Sequence, residues 1–388
     1  MKEAKIIGYE AKRIVANATG LGSYSRTLLE SLSAFDKQFL LYAPNEGRRE
    51  LYSNLLDKSN ITFKFPSDKS NNNSFFYKIS QNIWREKGIV RDLIRDKVEV
   101  FHGLSGQLPL GINKTNIKTV LTIHDLIFMV HPDWYSPIDI LFYKRKFFHS
   151  VKMADHIIAI SECTKRDIIR FAKVKESKIE VIYQSFNPIF AKGVGEEEKQ
   201  KIRQKYSLPK EFILNVGTIE RRKNILLVVK AIKELEQYSN KDIHLVIVGR
   251  KTEYTKEISN YIEKNNLQAK IHIINGVLFE ELRVIYSMAS LFVYPSIYEG
   301  FGIPIIEAMA NRLPVIACKG SCLEEAGGDY SLYVENNDVK AMAEAINAFL
   351  YDNNRREQAI EKGLDHIKKF ANNNVAQKHI DLYNSLIQ

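Results

Sequence analysis

Tyr294-Pro295-Ser296-Ile297-Tyr298-Glu299-Gly300-Phe301-Gly302-Ile303-Pro304-Ile305-Ile306-Glu307 decides how this chain is read. An apolar strand, 291–294, runs straight into a loop with two glycines. Pro304 suits the first turn of a helix, where a missing N–H leaves nothing unsatisfied. That helix continues through Ile306, Ala308 and Met309 before Pro314 starts the next strand. Gly300 to Ile303 therefore present bare N–H groups at a helix N-terminus, and the glycines let a ligand approach the backbone closely. This is an anion site suited to a diphosphate. Glu299 stands at its mouth and Glu307 in the first turns of the helix. The plainer reading is a strand–turn–helix with surface glutamates, for which two carboxylates bracketing such a loop are unusual.

The strand-then-helix rhythm extends outward in both directions. Short Ile- and Val-rich runs alternate with amphipathic stretches, which points to parallel sheets with helices on both faces. Strands are predicted at 5–9, 39–42, 98–101, 119–123 and 156–160, then at 212–216, 244–248, 270–274, 291–294 and 315–318. Helices are expected at 24–32, 164–171, 225–235, 338–351 and 355–385. Between the two series lies Tyr183-Gln184-Ser185-Phe186-Asn187-Pro188, followed by the charged run Glu196 to Lys201. The domain boundary is placed near residue 190. A length of 388 residues suits two domains, each with its own core. The expected architecture is α/β, with two Rossmann-like, doubly wound domains (1–190 and 191–365) facing a central cleft at the carboxyl ends of their strands. The polar stretch 67–74 reads as a mobile loop.

Four further segments carry candidate chemistry. Val216-Gly217-Thr218-Ile219-Glu220-Arg221-Arg222-Lys223-Asn224 ends a strand and leads cations into a helix, which fits diphosphate binding by Arg222 and Lys223. Asn17-Ala18-Thr19-Gly20-Leu21-Gly22-Ser23 places Gly20 and Gly22 near a helix start. As a dinucleotide fingerprint it is broken, with Ser25 in the third glycine position. Thr122-Ile123-His124-Asp125 closes another strand, and on its own admits either a structural histidine or a ligand contact. Gly249-Arg250-Lys251 and Asn275-Gly276-Val277 end two more strands. Ser161 or Thr164 reads as an N-cap without chemistry.

The segment Glu299 to Glu307 resembles the Glu-x7-Glu signature of the retaining glycosyltransferases of family 4, which have the GT-B fold. The resemblance implies that Glu299 contacts the donor sugar at its reacting end and that Glu307 binds the nucleotide ribose. Gly300, Phe301 and Gly302 would hold sugar and diphosphate through their amides. It also implies phosphate binding by Lys223 with Arg222 beside Gly217, with Thr218 where that family often has Arg. His124 becomes a sugar ligand, Gly20 and Gly22 a loop near acceptor and diphosphate, and the backbone near Arg250 and Val277 the base contacts. Residues 366–388 would form a last helix returning to the first domain. The Gly-Thr and Arg-Lys-Asn pattern resembles a branch rich in mannosyltransferases. A metal-independent transfer of mannose from GDP-mannose, to a glycan or lipid-linked acceptor in envelope or capsular polysaccharide assembly, is the expectation. No Asp-x-Asp motif appears, no residue stands out as nucleophile, and no cofactor beyond the nucleotide-sugar co-substrate is expected. A UDP-sugar donor is the alternative.

Composition narrows the rivals. Apolar residues make up 45% and charged residues 26%, as in an ordinary globular protein. No apolar run approaches the ~20 residues of a membrane span, and the N-terminus lacks the h-region of a signal peptide. Cys163, Cys318 and Cys322 suit neither a disulfide framework nor a zinc site, so a cytoplasmic home is expected. The net charge of +10 is uneven: residues 1–190 hold 29 Lys+Arg against 20 Asp+Glu, and the remainder 27 against 26. Such a surface favours anionic lipid, an anionic acceptor or nucleic acid, or serves solubility alone. Leu141-Phe142-Tyr143-Lys144-Arg145-Lys146-Phe147-Phe148 reads either as an interfacial helix on the inner face of an anionic membrane or as a core helix with a basic edge. A nucleic-acid-binding protein is the rival class, without any recognised motif in support, so no nucleic-acid partner is expected. A nicotinamide dehydrogenase is disfavoured by the broken glycine pattern. An epimerase or phosphorylase of the same fold lacks a lysine–cofactor signature.

Overall fold

A computed structural model of the chain describes residues 5–18, 20–66, 75–237, 239 and 242–387, with the backbone alone at 75–78. Residues 67–74, expected to be a mobile loop, lie outside this set, as does Thr19 of the Gly20–Gly22 segment. Two compact units emerge. One comprises Met1–Ser185 with Phe370–Gln388, the other Phe186–Lys369.

The first unit is built on seven parallel strands in the order β3-β2-β1-β4-β5-β6-β7. They are β1 Ile6–Glu10, β2 Gln38–Tyr42, β3 Ile61–Lys64, β4 Val100–Gly103, β5 Lys118–Ile123, β6 His156–Ala159 and β7 Ile179–Val181. Successive side chains on a strand point to opposite faces. Val100, Val120 and Ile158 thus join one core cluster, while their neighbours Phe101, Leu121 and Ile157 join another. A sheet buried on both faces explains why these strands read as unbroken apolar runs.

The second unit has six parallel strands in the order β10-β9-β8-β11-β12-β13. They are β8 Ile213–Val216, β9 Leu245–Val248, β10 Ile271–Ile274, β11 Leu291–Tyr294, β12 Val315–Cys318 and β13 Leu332–Val334. Ile213, Leu245, Ile247, Leu291, Val293 and Ile316 face a core completed by the helices Ile225–Leu235 and Val339–Tyr351.

Several expectations need correction. The boundary falls at 185/186 because the turn Pro188–Ala191 belongs with the second unit: Phe190 is buried edge-on to Phe279 (5.3 Å) and Tyr286 (5.4 Å). The single helix expected over 355–385 is broken into Asn353–His366, a turn Ile367–Phe370 and Asn372–Leu386. His366 anchors the first piece to the second unit through the Glu325 carbonyl (3.1 Å). The chain therefore re-enters the first unit at Phe370, not at 366. Strands β3, β7 and β13 were not read at all.

The Asn372–Leu386 helix is part of the first unit's core. Tyr383 is fully buried, and its hydroxyl lies 3.1 Å from the Tyr9 hydroxyl and 2.7 Å from His102 Nδ1. His102 Nε2 reaches Thr122 Oγ1 at 2.7 Å. Burial holds His102 well below the ordinary histidine range. The ring is thus neutral, and one coherent relay runs from Tyr9 through Tyr383 and His102 to Thr122.

Candidate active site

The second unit gathers its candidate residues at the carboxyl ends of β8 and β11. Gly217, just past β8, adopts φ +152° and Gly302, before the helix Ile303–Ala310, φ +145°. Both conformations favour glycine. Arg221–Lys223 form a single tight turn, and Asn224, at φ +55°, turns the chain into the Ile225–Leu235 helix. The Ile297 amide donates to the Arg222 carbonyl (2.9 Å), tying this turn to the Glu299 loop.

This turn delivers two cations to one carboxylate. Arg222 Nη1 lies 2.7 Å from Glu299 Oε2, and Lys223 Nζ 2.6 Å from Oε1. Arg222 also donates to the Tyr298 carbonyl (2.9 Å) and pairs with Glu220 (2.7 Å). Lys223 donates to the Tyr294 hydroxyl (2.5 Å), which lies 3.4 Å from Glu299 Oε1. Burial opposes ionisation of Glu299, but the neighbouring Lys223 and Arg222 outweigh it and hold the carboxyl below its usual range. Burial likewise opposes the charge of Lys223, yet Glu299 raises the ammonium to about 12. All three groups are therefore ionised near neutral pH; Glu299 is shared by both cations, and Glu220 pairs with Arg222 alone.

Glu307 lies in a different environment. It is buried in the Ile303–Ala310 helix, with the Tyr286 hydroxyl 3.2 Å from its Oε2. Burial pushes its carboxyl up to about 8, which the Tyr286 hydrogen bond only partly offsets. It is neutral at pH 7 without a ligand. Between the two glutamates the loop is pinned from below by Cys322, whose thiol faces the carbonyls of Phe301 (2.6 Å) and Glu299 (3.1 Å). Cys322, which suits neither a disulfide nor a zinc site, thus serves as a loop anchor.

The remaining candidates are placed as follows. Thr218 is half-buried beside Gly217, and the Arg250 carbonyl accepts the Ile219 amide (3.0 Å) while the Arg250 side chain is exposed. Val277 is half-buried after Gly276, which has φ +75°. In the first unit, Gly20 opens the Gly20–Leu32 helix, four residues earlier than expected. A Cβ on Gly22 would fall 1.9 Å from the Asn17 carbonyl oxygen, so that residue must be glycine for the loop to pack. His124 is held on both ring nitrogens, by the Leu104 carbonyl (2.7 Å) and the Gln184 amide (3.0 Å), with Tyr24 edge-on at 5.1 Å. Burial lowers it to about 4, so it is neutral, donating from Nε2 and accepting at Nδ1. Asp125 accepts the Ile127 amide (3.2 Å), and Ser161 caps the helix Glu162–Ala172.

Sequence reasoning missed Tyr294 and Tyr286, and in the first unit the buried Glu10. Glu10 pairs with Arg85 (3.0 Å) and accepts from Ser105 (3.2 Å) at the carboxyl end of β1. Tyr294 was legible in principle, because the last residue of a strand lies where such sheets bind ligands. Tyr286 sits mid-helix with no local signal.

A carboxylate held by two cations, a second buried carboxylate and a glycine loop at a helix start, all in the second unit, fit a glycosyltransferase, and the comparisons agree. The model for glycosyl transferases group 1 matches residues 197–366, and that for Glycosyltransferase Family 4 matches 18–188. The chain belongs to the GT-B glycosyltransferases of the family 4 type. It is 30% identical to O-antigen chain mannosyltransferase B of Escherichia coli over 76% of each chain. It is 32% identical to O-antigen chain mannosyltransferase RfbU of Salmonella typhimurium, over 71% of this chain and 68% of that one. A glycosyltransferase of Rickettsia africae shares the fold along its whole length, with a TM-score of 0.76 at 20% identity.

Proposed function

We propose that this glycosyltransferase moves mannose from GDP-mannose, with retention at the anomeric carbon and without a metal ion, to a hydroxyl of a glycan or lipid-linked acceptor in surface polysaccharide assembly at the cytoplasmic side of the cell membrane. The observation that carries the reading is the Arg222–Lys223–Glu299 assembly beside the Gly300–Gly302 loop. The mannosyltransferase relatives support the choice of sugar.

In this reading the diphosphate displaces Glu299 from the two cations. Arg222, Lys223 and the loop amides then stabilise the charge that develops as the bond from C1 to the β-phosphate oxygen breaks. Preformed cations supply what a divalent ion supplies in other transferases. Glu299, released, turns to the sugar hydroxyls. His124 is neutral and offers Nδ1 to a sugar hydroxyl once Gln184 turns aside. The acceptor oxygen bonds to C1 on the face the phosphate leaves, and its proton passes to the departing phosphate oxygen. Ionised Glu307 accepts the ribose hydroxyls, and the backbone near Arg250 and Val277 meets the base.

Calorimetric titration with GDP, UDP, ADP and dTDP in excess EDTA tests this. GDP binding tightest, unaffected by EDTA, is the expected result. Preference for UDP would reassign the donor, and binding only with added metal would overturn the metal-free mechanism. Proton NMR of the fresh product then reads the anomeric configuration.

A further inference from the structure

The Pro137–Met153 helix buries one face and leaves an oily one bare. Phe147, Ser150 and Val151 are its buried residues, and Phe147 and Val151 join the core of the first unit. Tyr143 leans the same way, edge-on to Phe128 (5.5 Å) and Tyr135 (6.1 Å). Residues three and four apart share a helix face. Ile138, Leu141, Phe142 and Arg145 therefore form one stripe, continued by Phe148 and Lys152, on the side opposite Phe147. Exposure agrees: Ile138 and Leu141 are each 68% exposed and Phe142 57%. Isolated apolar residues are ordinary on a surface, but three within five residues on one outward face form a patch.

Charge identifies the occupant. Lys144, Arg145, Lys146 and Lys152 are all exposed around the stripe. The one acid on the helix, Asp139, is held at its N-terminus by Ser136 (2.7 Å). A nucleic acid would satisfy the cations and leave the three apolar side chains in water. A second copy of this face, related by a two-fold axis, would set the cations against their like. A bilayer with anionic headgroups satisfies both, taking up the apolar side chains at the acyl boundary and the cations at the phosphates. No helix among the described residues is long and apolar enough to cross a membrane, so this contact lies on the surface.

We propose that the Pro137–Met153 helix docks the enzyme on an anionic lipid surface, with Ile138, Leu141 and Phe142 inserted and Lys144, Arg145 and Lys152 on the headgroups. The proposal goes beyond the donor reading and does not depend on it.

Vesicle flotation of the full chain tests it, using phosphatidylcholine alone and phosphatidylcholine with phosphatidylglycerol. The protein should float with the anionic vesicles only, and less as salt rises. Ile138→Ser/Leu141→Ser/Phe142→Ser should abolish flotation, and Lys144→Ala/Arg145→Ala/Lys152→Ala should weaken partitioning roughly a hundred-fold. Both variants should keep the parent's unfolding midpoint, a control that stands even if no nucleotide binds. Equal flotation of parent and both variants would overturn the proposal, as would failure of the parent to float. So would light scattering showing a dimeric parent and a monomeric serine variant, which would assign the face to a second copy.

Discussion

Glu299 is the counter-ion of Arg222 and Lys223, and that sets what its removal does. Glu299→Ala removes the carboxylate shared by the two cations and leaves Arg222 paired with Glu220 alone. On the proposed mechanism GDP then binds as well as before or more tightly, while transfer falls roughly a hundred-fold or more. Lys223→Ala should act the other way on binding, weakening GDP about ten-fold or more. Tyr294→Phe removes the hydroxyl between Lys223 and Glu299; turnover should fall several-fold with the unfolding midpoint unchanged. Calorimetry beside an initial-rate assay separates these outcomes.

Glu307 makes a prediction about pH. Its carboxyl moves from an ordinary 4.5 to about 8 in the folded chain. Below about 4.5 it is neutral folded or unfolded and costs nothing. As pH rises from there to about 8 the unfolded chain gains a solvated charge that the folded one does not, so stability falls over that window. Glu307→Gln should therefore raise the unfolding midpoint more at pH 8 than at pH 5. In the ribose role, nucleotide binding favours the carboxylate and releases a proton. GDP affinity should then climb between pH 6 and 8, by roughly ten-fold per unit at most, and Glu307→Gln should flatten the climb.

At the scale of elements, the donor side depends on two strand ends touching. A Cβ at Gly249 would fall 1.8 Å from the Gly217 carbonyl oxygen, so the loops after β9 and β8 meet backbone to backbone. Gly249→Ala must push the Gly217–Lys223 segment aside. It should cost about 1–3 kcal/mol of stability and weaken GDP binding, read by thermal denaturation and calorimetry. What sequence made legible follows the same physics. Central strands such as β4, β5, β8 and β11 are buried on both faces and rich enough in apolar residues to be legible. The missed strands β3, β7 and β13 are all at sheet edges and only three or four residues long. Ile61-Thr62-Phe63-Lys64 and Ile179-Glu180-Val181 break their apolar runs with polar residues that are exposed or half-buried. Glu299, Arg222 and Lys223 were legible because glycines and helix starts mark them locally. Tyr286 and Gln184 were not, since only the folded chain brings them to Glu307 and His124.

At the scale of the molecule, the fold requires the chain's last helix in its first unit. Val375, Ala376, Ile380 and Tyr383 are buried with Ile7, Tyr9 and Leu28. Tyr383→Ala opens a cavity and strands the Tyr9 and His102 polar groups, at a cost of about 3–5 kcal/mol. Two transitions should then separate in a calorimetric scan, the lower from the first unit, with the second unit's midpoint unmoved.

That closing helix also has a consequence during synthesis. Residues 186–369 form their unit from one uninterrupted stretch and can finish as soon as they leave the ribosome. Residues 1–185 emerge earlier yet lack the helix that completes their core until residues 372–386 have been made. At roughly 5–20 residues per second, the nascent first half waits about ten to forty seconds with an apolar groove open. The part of the enzyme made first is thus completed last, and during that interval it is a natural client for chaperones.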